Sequence, residues 1–521
     1  MKIVSELKKL PQYLKPYFPL FTGCMVFSTI IYFILMANQL VNPFDGLWEY
    51  SYYTAGYWEL SLGRWAWLYL DQLRMGISFD PLTSLITLSC FSVGILLIID
   101  LFNLRESKLC LLICGLFLSS TSVCISLSYR YMSPTFGMAF LLNVLAAWIL
   151  CKFHKLLPAI LISGFLIAVA MGLYQANIGC ACIVVLGYWI YTLLQPETTL
   201  KETLQRILCF LLSGGLGALL YLGILKLHLW FFHTSLSSYN GANSYSIANT
   251  LLNFPKNIGR AYDTFWQYFT GNYYLSNIFQ KYKLFIIVLA VIALFLTLSI
   301  LCGFRKSKGK ALLAPVLLFA IPIACNAVSF IATDTHTSMQ MTTPLALCLP
   351  VLLCVTAGIL RTLPRKFTGL FYLQTALLLV VLYGNIYQVQ IDQNALLEGK
   401  IATTTLATEI VHDVHKLGYI AEDKEFCVIG LPIYNPLFQT SELYNHSNVY
   451  ARFGSWWTDT TCTRRSWQGV FSYLCGADLK ICSAPKYNEL LATETIQNMP
   501  VYPAEGSIAE VNDVVVIKVS P

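Results

Sequence analysis

Long apolar runs, each about the length needed to cross a bilayer core, alternate with short polar connections through most of the chain. The pattern predicts about eleven transmembrane helices, near 17–40, 82–102, 109–128, 134–151, 156–174, 177–194, 207–228, 284–302, 311–331, 344–360 and 368–390. Alternate connections are short and basic. They carry Arg105 and Lys108; Lys152 and Lys155; Lys201 and Arg206; Arg305, Lys306, Lys308 and Lys310; and Arg361, Arg365 and Lys366. Lysine and arginine collect on the cytoplasmic side of membrane proteins, so these connections are expected inside, with the N-terminal Lys2, Lys8, Lys9 and Lys15. An odd number of spans then puts the C-terminal tail outside. The apolar run after Lys15 is long enough to span and lacks a small-residue cleavage site, so no signal peptide is expected.

The other side is expected to carry two long loops, 41–81 and 229–283, with short turns near 129–133, 175–176 and 332–343. From about residue 391 the composition turns polar. Residues 391–418 read as a helix with a rough apolar stripe, and Glu425–Ile429, Leu479–Cys482 and Val514–Val519 read as strands. The predicted fold is an all-α polytopic membrane protein with a small extracytoplasmic α/β domain at its C-terminus. The transmembrane catalytic domain would occupy 1–390 and the extracytoplasmic domain 391–521.

Composition agrees. The 521 residues are 56% hydrophobic and only 12% charged, against about 25% charged in soluble domains. The net charge of +7 follows from the basic inner connections and is no sign of nucleic-acid binding. Thirteen of the seventeen cysteines, Cys24 to Cys354, lie in the apolar part, where the thiol acts as a small hydrophobe. Cys427, Cys462, Cys475 and Cys482 lie in the tail and could form two disulfides by three pairings. No metal-ligand cluster is visible, and no metal or other cofactor is expected. P-loop, GxSxG and HExxH motifs are absent, and no inner loop could house a nucleotide-sugar transferase domain.

The loop 41–81 is the densest in chemistry. Asp45 lies in Asn42-Pro43-Phe44-Asp45-Gly46, at the mouth of the first span. Asp before Gly is also ordinary turn chemistry, but here it adjoins a loop rich in Trp and Tyr and becomes the candidate general base. Glu49 and Glu59 are fallback carboxylates. Arg64, in Ser61-Leu62-Gly63-Arg64-Trp65, and Arg130, in Ser128-Tyr129-Arg130-Tyr131, are candidates to hold a departing phosphate, because a guanidinium matches a phosphate bidentately. Trp58 and Trp65 could stack on sugar faces, although an aromatic belt at headgroup depth explains most of these rings. Tyr174 and Gln175 close a span and could hydrogen-bond sugar hydroxyls. His336, in Asp334-Thr335-His336, could bind phosphate or move a proton. The stretch Thr234–Thr250 reads as a mobile cover or a plain linker.

The order Asn-x-x-Asp-Gly, Ser-x-Gly-Arg-Trp, Ser-x-Arg-Tyr and a Tyr-Gln span end, spread over roughly residues 20–390, resembles the bacterial glucosyltransferase family that includes the serotype-converting O-antigen glucosyltransferases. The resemblance implies a GT-C-like fold, an inverting mechanism and a polyprenyl-phosphate sugar donor, without nucleotide. By position it makes Asp45 the acidic residue of the first outer loop, Arg64 the arginine of the Gly-Arg pair, and Tyr174 and Gln175 the span-end pair. Members often carry adjacent acidic residues in that loop. Here Phe44 precedes Asp45, so a second carboxylate would be Glu49 or come from elsewhere.

The resulting expectation is a glycosyltransferase in a bacterial cytoplasmic membrane. It would move a hexose, glucose foremost, from polyprenyl phosphate to a cell-surface glycan on the outer face. Two rivals stay open. One is a glycan polymerase or ligase using a lipid pyrophosphate-linked oligosaccharide. The other is a lipid-linked glycan transporter, against which stand the absence of internal repeats and of ionisable residues at mid-membrane.

Overall fold

The computed structural model describes residues 15–153, 155–239, 250, 252–271, 277, 283–304, 308–330, 337–419 and 424–521. Among them, eight helices have the length and apolarity to cross a membrane, or nine when the bent pair Ser107–Leu118 and Thr121–Ser128 counts as one span. These helices support insertion into a membrane. The other two expected spans, near 17–40 and 311–331, are each divided into shorter helices. Phe18–Ile31 breaks at Tyr32 before Phe33–Ala37, and Lys308–Phe319 breaks at Ala320 before Ile321–Cys325. At the first break the Tyr32 hydroxyl donates to the Leu118 carbonyl (2.7 Å).

Ser133–Lys152 packs against Leu82–Leu101, Leu156–Leu173 and Ile178–Leu193; Leu156–Leu173 also packs on Leu200–Phe231, and Ile178–Leu193 on Thr343–Leu360. Close approach explains several glycines. An added Cβ at Gly94 would fall 2.3 Å from Phe140, and one at Gly187 would fall 2.5 Å from Val351. Thr343–Leu360 is enclosed almost entirely, whereas Leu200–Phe231 runs along the periphery with few buried side chains. The latter helix begins at a capping box, Thr199 with Glu202, which satisfies its first free amides.

The composition boundary near residue 390 is not a break in the backbone. Thr368–Lys416 is one helix of 49 residues, about 74 Å long, so the expected span 368–390 and the expected helix 391–418 are continuous. No proline interrupts the segment, and polar side chains alone do not end a helix. Beyond it, β1 (Glu425–Ile429) and β3 (Val514–Lys518) pair in parallel, and β2 (Ile508–Val511) pairs antiparallel with β3, giving the order β1-β3-β2. Asn512 and Asp513, both at positive φ, make the two-residue turn of the β2–β3 hairpin. The expected strand Leu479–Cys482 reduces to a parallel bridge between Phe426 and Ile481.

Asp392 docks this tail onto the long helix. Fully buried, it accepts from the Asn448 amide (2.9 Å), Asn448 Nδ2 (2.7 Å), the Tyr450 hydroxyl (2.7 Å) and Gln388 Nε2 (3.0 Å). Replacing Asp392 by Ala leaves those donors without their acceptor. The expected cost is roughly 1–3 kcal/mol, read as a lower midpoint in thermal or denaturant unfolding of the detergent-solubilised protein.

Candidate active site

The loop 41–81 folds into three short helices, Asp45–Trp48, Tyr57–Ser61 and Trp65–Leu73, at the end of the bundle where the tail docks. Asn42 builds the first of them. Its Oδ1 accepts from the amides of Phe44 (3.0 Å) and Gly46 (3.2 Å), while its Nδ2 and its backbone N–H both donate to the Ser128 carbonyl (3.1 Å each). A Cβ at Gly46 would sit 2.8 Å from Asn42 Nδ2 and 2.9 Å from the Ser128 oxygen. The Asn-x-x-Asp-Gly pattern is therefore a mount that pins Asp45 against the end of Thr121–Ser128.

Asp45 itself is half-buried. Burial pushes its carboxyl above the ordinary aspartate range, and the positive charges of Arg64 and Arg465 pull it partly back. Glu49, one turn later and also half-buried, is pushed up to about 7 by burial, with Arg465 opposing and Asp45 and Glu59 adding to the rise. Tyr129 and Tyr131 lie within electrostatic reach of Asp45.

Arg64 stands between the rings of Tyr174 (5.2 Å) and Trp67 (5.8 Å). Its Nε is buried without a hydrogen-bond partner, as is the Tyr174 hydroxyl, and Arg64 joins none of the ion pairs among the described residues. Gly63 sets its direction, with φ at +82°. A Cβ there would fall 2.3 Å from the Tyr221 hydroxyl and 2.9 Å from Gln175 Nε2. Gln175 donates to the Leu62 carbonyl (2.8 Å) and the Tyr221 hydroxyl (3.1 Å), so it braces the turn that aims Arg64. Gly63→Ala must adopt a strained backbone and displace two bonded side chains. Transfer is expected to fall about tenfold, from a cost of order 1–3 kcal/mol, while the protein accumulates normally. A rate assay at equal abundance checks this.

The remaining candidates are spread among other tasks. Arg130 is buried. It donates to Gln39 Oε1 (2.6 Å) and the Tyr50 carbonyl, and lies 4.5 Å from the Tyr50 ring centre. It therefore ties the first helix's end to the loop, while its Nε, like that of Arg64, is buried without a hydrogen-bond partner. Glu59 is buried, caps its helix through the Gly56 amide (2.8 Å) and accepts from the Tyr53 hydroxyl. Trp65 is buried, stacked on His228 (5.6 Å) and packed against Gly172. Trp58 is exposed beside Tyr239 (5.5 Å). His336 lies outside the described residues, as does most of Thr234–Thr250. Among the described residues no three His, Cys, Asp or Glu side chains gather as a metal site. A cavity of about 1040 Å³ lies far from these residues, at the basic end near Gln195, Lys310 and Lys366.

The C-terminal tail brings what the sequence reading missed. Its helix Thr460–Gly469 lies against Asp45–Trp48. Trp48 Nε1 donates to Ser466 Oγ (2.9 Å), and Ser466 Oγ reaches the Pro43 carbonyl (3.4 Å). Arg465 sits 5.3 Å from the Trp48 ring centre, and Trp457 stacks on Phe44 at 5.4 Å. The paired arginines Arg464-Arg465 beside Trp456-Trp457 were the available signal, but nothing local linked them to Asp45, more than 400 residues earlier.

A carboxylate of raised pKa beside unpaired guanidinium groups, at one end of an apolar helical bundle, has the makings of a membrane-bound enzyme that handles an anionic substrate. The sequence specifies the class further. A family model described as glucosyl transferase GtrII matches residues 40–382, well over half of the chain, and the chain belongs to that family. This is the serotype-converting O-antigen glucosyltransferase family, and the protein is accordingly a glucosyltransferase. No curated protein and no solved structure gives a significant match.

Proposed function

We propose that this glucosyltransferase takes glucose from polyprenyl phosphate and joins it to a cell-surface glycan on the outer face of a bacterial cytoplasmic membrane. The observation that carries the reading is the setting of Asp45, half-buried and under the fields of Arg64 and Arg465. Asp45 takes the proton of an acceptor hydroxyl as that oxygen attacks the anomeric carbon. The bond from that carbon to the phosphate oxygen breaks, and the phosphate leaves with the electron pair. Arg64, without an ion pair among the described residues and lying by the Tyr174 and Trp67 rings, binds the phosphate whose charge grows in the transition state. Attack opposite the leaving group inverts the anomeric centre. Glu49 stands by as a second carboxylate, while Gln175 and Glu59 position the loop. Arg130 is given a bracing role, because its two terminal nitrogens donate to Gln39 and Tyr50.

Membership of a glucosyltransferase family speaks against a transporter without covalent chemistry, and a ligase using lipid pyrophosphate-linked oligosaccharide is the alternative to test. Washed membranes containing the protein would be given cell-envelope glycan with one of three labelled donors: polyprenyl-phosphate glucose, a nucleotide glucose or a lipid pyrophosphate-linked oligosaccharide. Transfer from the first alone supports the reading. Transfer only from either of the others overturns the donor assignment.

The proposed orientation makes its own prediction. The parallel bridge between Phe426 and Ile481 places Cys427 and Cys482 side by side, one residue further along each segment. The strand spacing of about 4.8 Å lies within the Cα separation that disulfides span. In an oxidising outer compartment, an oxidant disulfide takes two electrons from the pair, which loses two protons. Non-reducing peptide mapping of protein from intact cells is expected to recover the Cys427–Cys482 linkage. Free thiols at both positions would contradict an outer location for the tail.

A further inference from the structure

We infer that Arg465 and Trp457 of the C-terminal tail form the acceptor subsite, where a saccharide ring lies on the open face of Trp457 and its hydroxyl oxygens take hydrogen bonds from Arg465. The inference rests on the reading of Asp45 as the base. It also lies outside residues 40–382, the part of the chain that the family match covers.

Asp45 is flanked by two aromatic rings. Phe44 precedes it and Trp48 follows three residues later, and each is covered by the tail. Trp457 stacks on Phe44 with the rings 24° from parallel, and the Arg465 guanidinium lies over Trp48. Trp457 is nevertheless 51% exposed. One face is spent on Phe44, and much of the rest of a large aromatic surface remains in solvent beside the candidate base. Rings left in that state suit the apolar C–H face of a sugar, and the indole loses little conformational entropy on binding.

The two adjacent arginines sharpen the point. Arg464 donates from Nε to the Cys482 carbonyl (2.6 Å), a contact inside the tail. Arg465 is exposed and joins none of the ion pairs among the described residues. Its charge acts on Asp45, Glu49 and Cys462. A solvated arginine needs no such mount. Here Asp459 caps the helix through the Cys462 amide (3.0 Å), and Ser466 bonds Trp48. Gly469 closes on Leu47 so tightly that a Cβ would lie 2.8 Å from the Leu47 carbonyl oxygen. These contacts fix Arg465 over the helix that carries Asp45. Arg64 lies by the bundle rings Trp67 and Tyr174 and Arg465 by Trp48 under the tail, so the inference gives the donor to the first and the acceptor to the second.

The test is steady-state transfer from polyprenyl-phosphate glucose by Arg465→Gln, Trp457→Ala and the control Arg464→Gln, run at the pH plateau of each enzyme. Arg465→Gln and Trp457→Ala are each expected to raise the KM for acceptor glycan about tenfold, the scale of one hydrogen bond to a charged group. The KM for donor should stay unchanged, and Arg465→Lys should recover part of the loss. Arg464→Gln should leave the acceptor KM alone. Unchanged acceptor KM in both site variants, or an equal rise in donor KM, overturns the inference while leaving Asp45 in place. Full activity in Asp45→Asn would instead remove the reading beneath it. Arg465 is exposed, so its replacement reports on the subsite even if Trp457→Ala fails to accumulate.

Discussion

Asp45→Asn is expected to lower glucosyl transfer by about a hundredfold or more at equal protein abundance, the usual contribution of a positioned general base. Asparagine is nearly isosteric, so the Asn42 mount and the short helix after it should survive. What goes is the ability to accept a proton. The environment around the carboxyl is suited to that role. An aspartate of ordinary pKa is a weak base, and burial raises this one while Arg64 and Arg465 pull it partly back. Glu49 is the nearest substitute in the same field, with its carboxyl pushed up to about 7. Residual activity in Asp45→Asn that vanishes in the Asp45→Asn, Glu49→Gln pair would assign the remainder to Glu49.

The second large effect is expected at Arg64. Arg64→Gln should reduce kcat by roughly 10²- to 10³-fold, as loss of a donor aimed at developing charge does. Arg64→Lys should recover only part of that, because an ammonium lacks the planar fork and the stacking between Tyr174 and Trp67. A further signature separates this role from a structural one. Arg64 lowers the pKa of Asp45, so its removal should shift the pH–rate profile to higher pH, since the base then loses its proton less readily. A fall in rate with no shift in profile would place Arg64 away from the base. Rates measured across pH in Arg64→Gln and wild type decide the matter.

Local features of this site were open to sequence reading, and distant ones were not. Asn42 to Gly46 can be read because the cap and the close-packed glycine lie within five residues. Gly63-Arg64 can be read for a similar reason, although the bracing by Gln175 and Tyr221 that makes the glycine necessary comes from other helices. Arg130 and Arg64 look alike in sequence. Only packing shows that one is tied to Gln39 and Tyr50 and the other is not. Trp65 and Trp58 likewise share a loop but not an environment, one buried under His228 and the other in solvent. Arg465 was marked locally only by its neighbour Arg464 and the nearby Trp456-Trp457, and its place beside Asp45 comes from a helix–helix contact across the chain. Hydropathy located the long apolar helices well. It did not show the breaks at Tyr32 and Ala320, where short helices abut, or that the helices expected on either side of residue 390 are one.

The measurement that bears most directly on the central claim is single-turnover transfer by reconstituted protein loaded with labelled polyprenyl-phosphate glucose. Saturating acceptor glycan would be added over a range of pH to wild type and Asp45→Asn. In the groups around Asp45, which are Arg64, Arg465, Glu49, Tyr129, Tyr131 and Cys462, nothing else changes between the two proteins. A carboxylate whose pKa is raised works above that pKa and is lost as a base when pH falls through it. The wild-type rate should therefore climb with pH through an ionisation above the ordinary aspartate value. Asp45→Asn should be at least about a hundredfold slower and lack that climb. An Asp45→Asn protein that keeps the wild-type rate and profile would contradict the account.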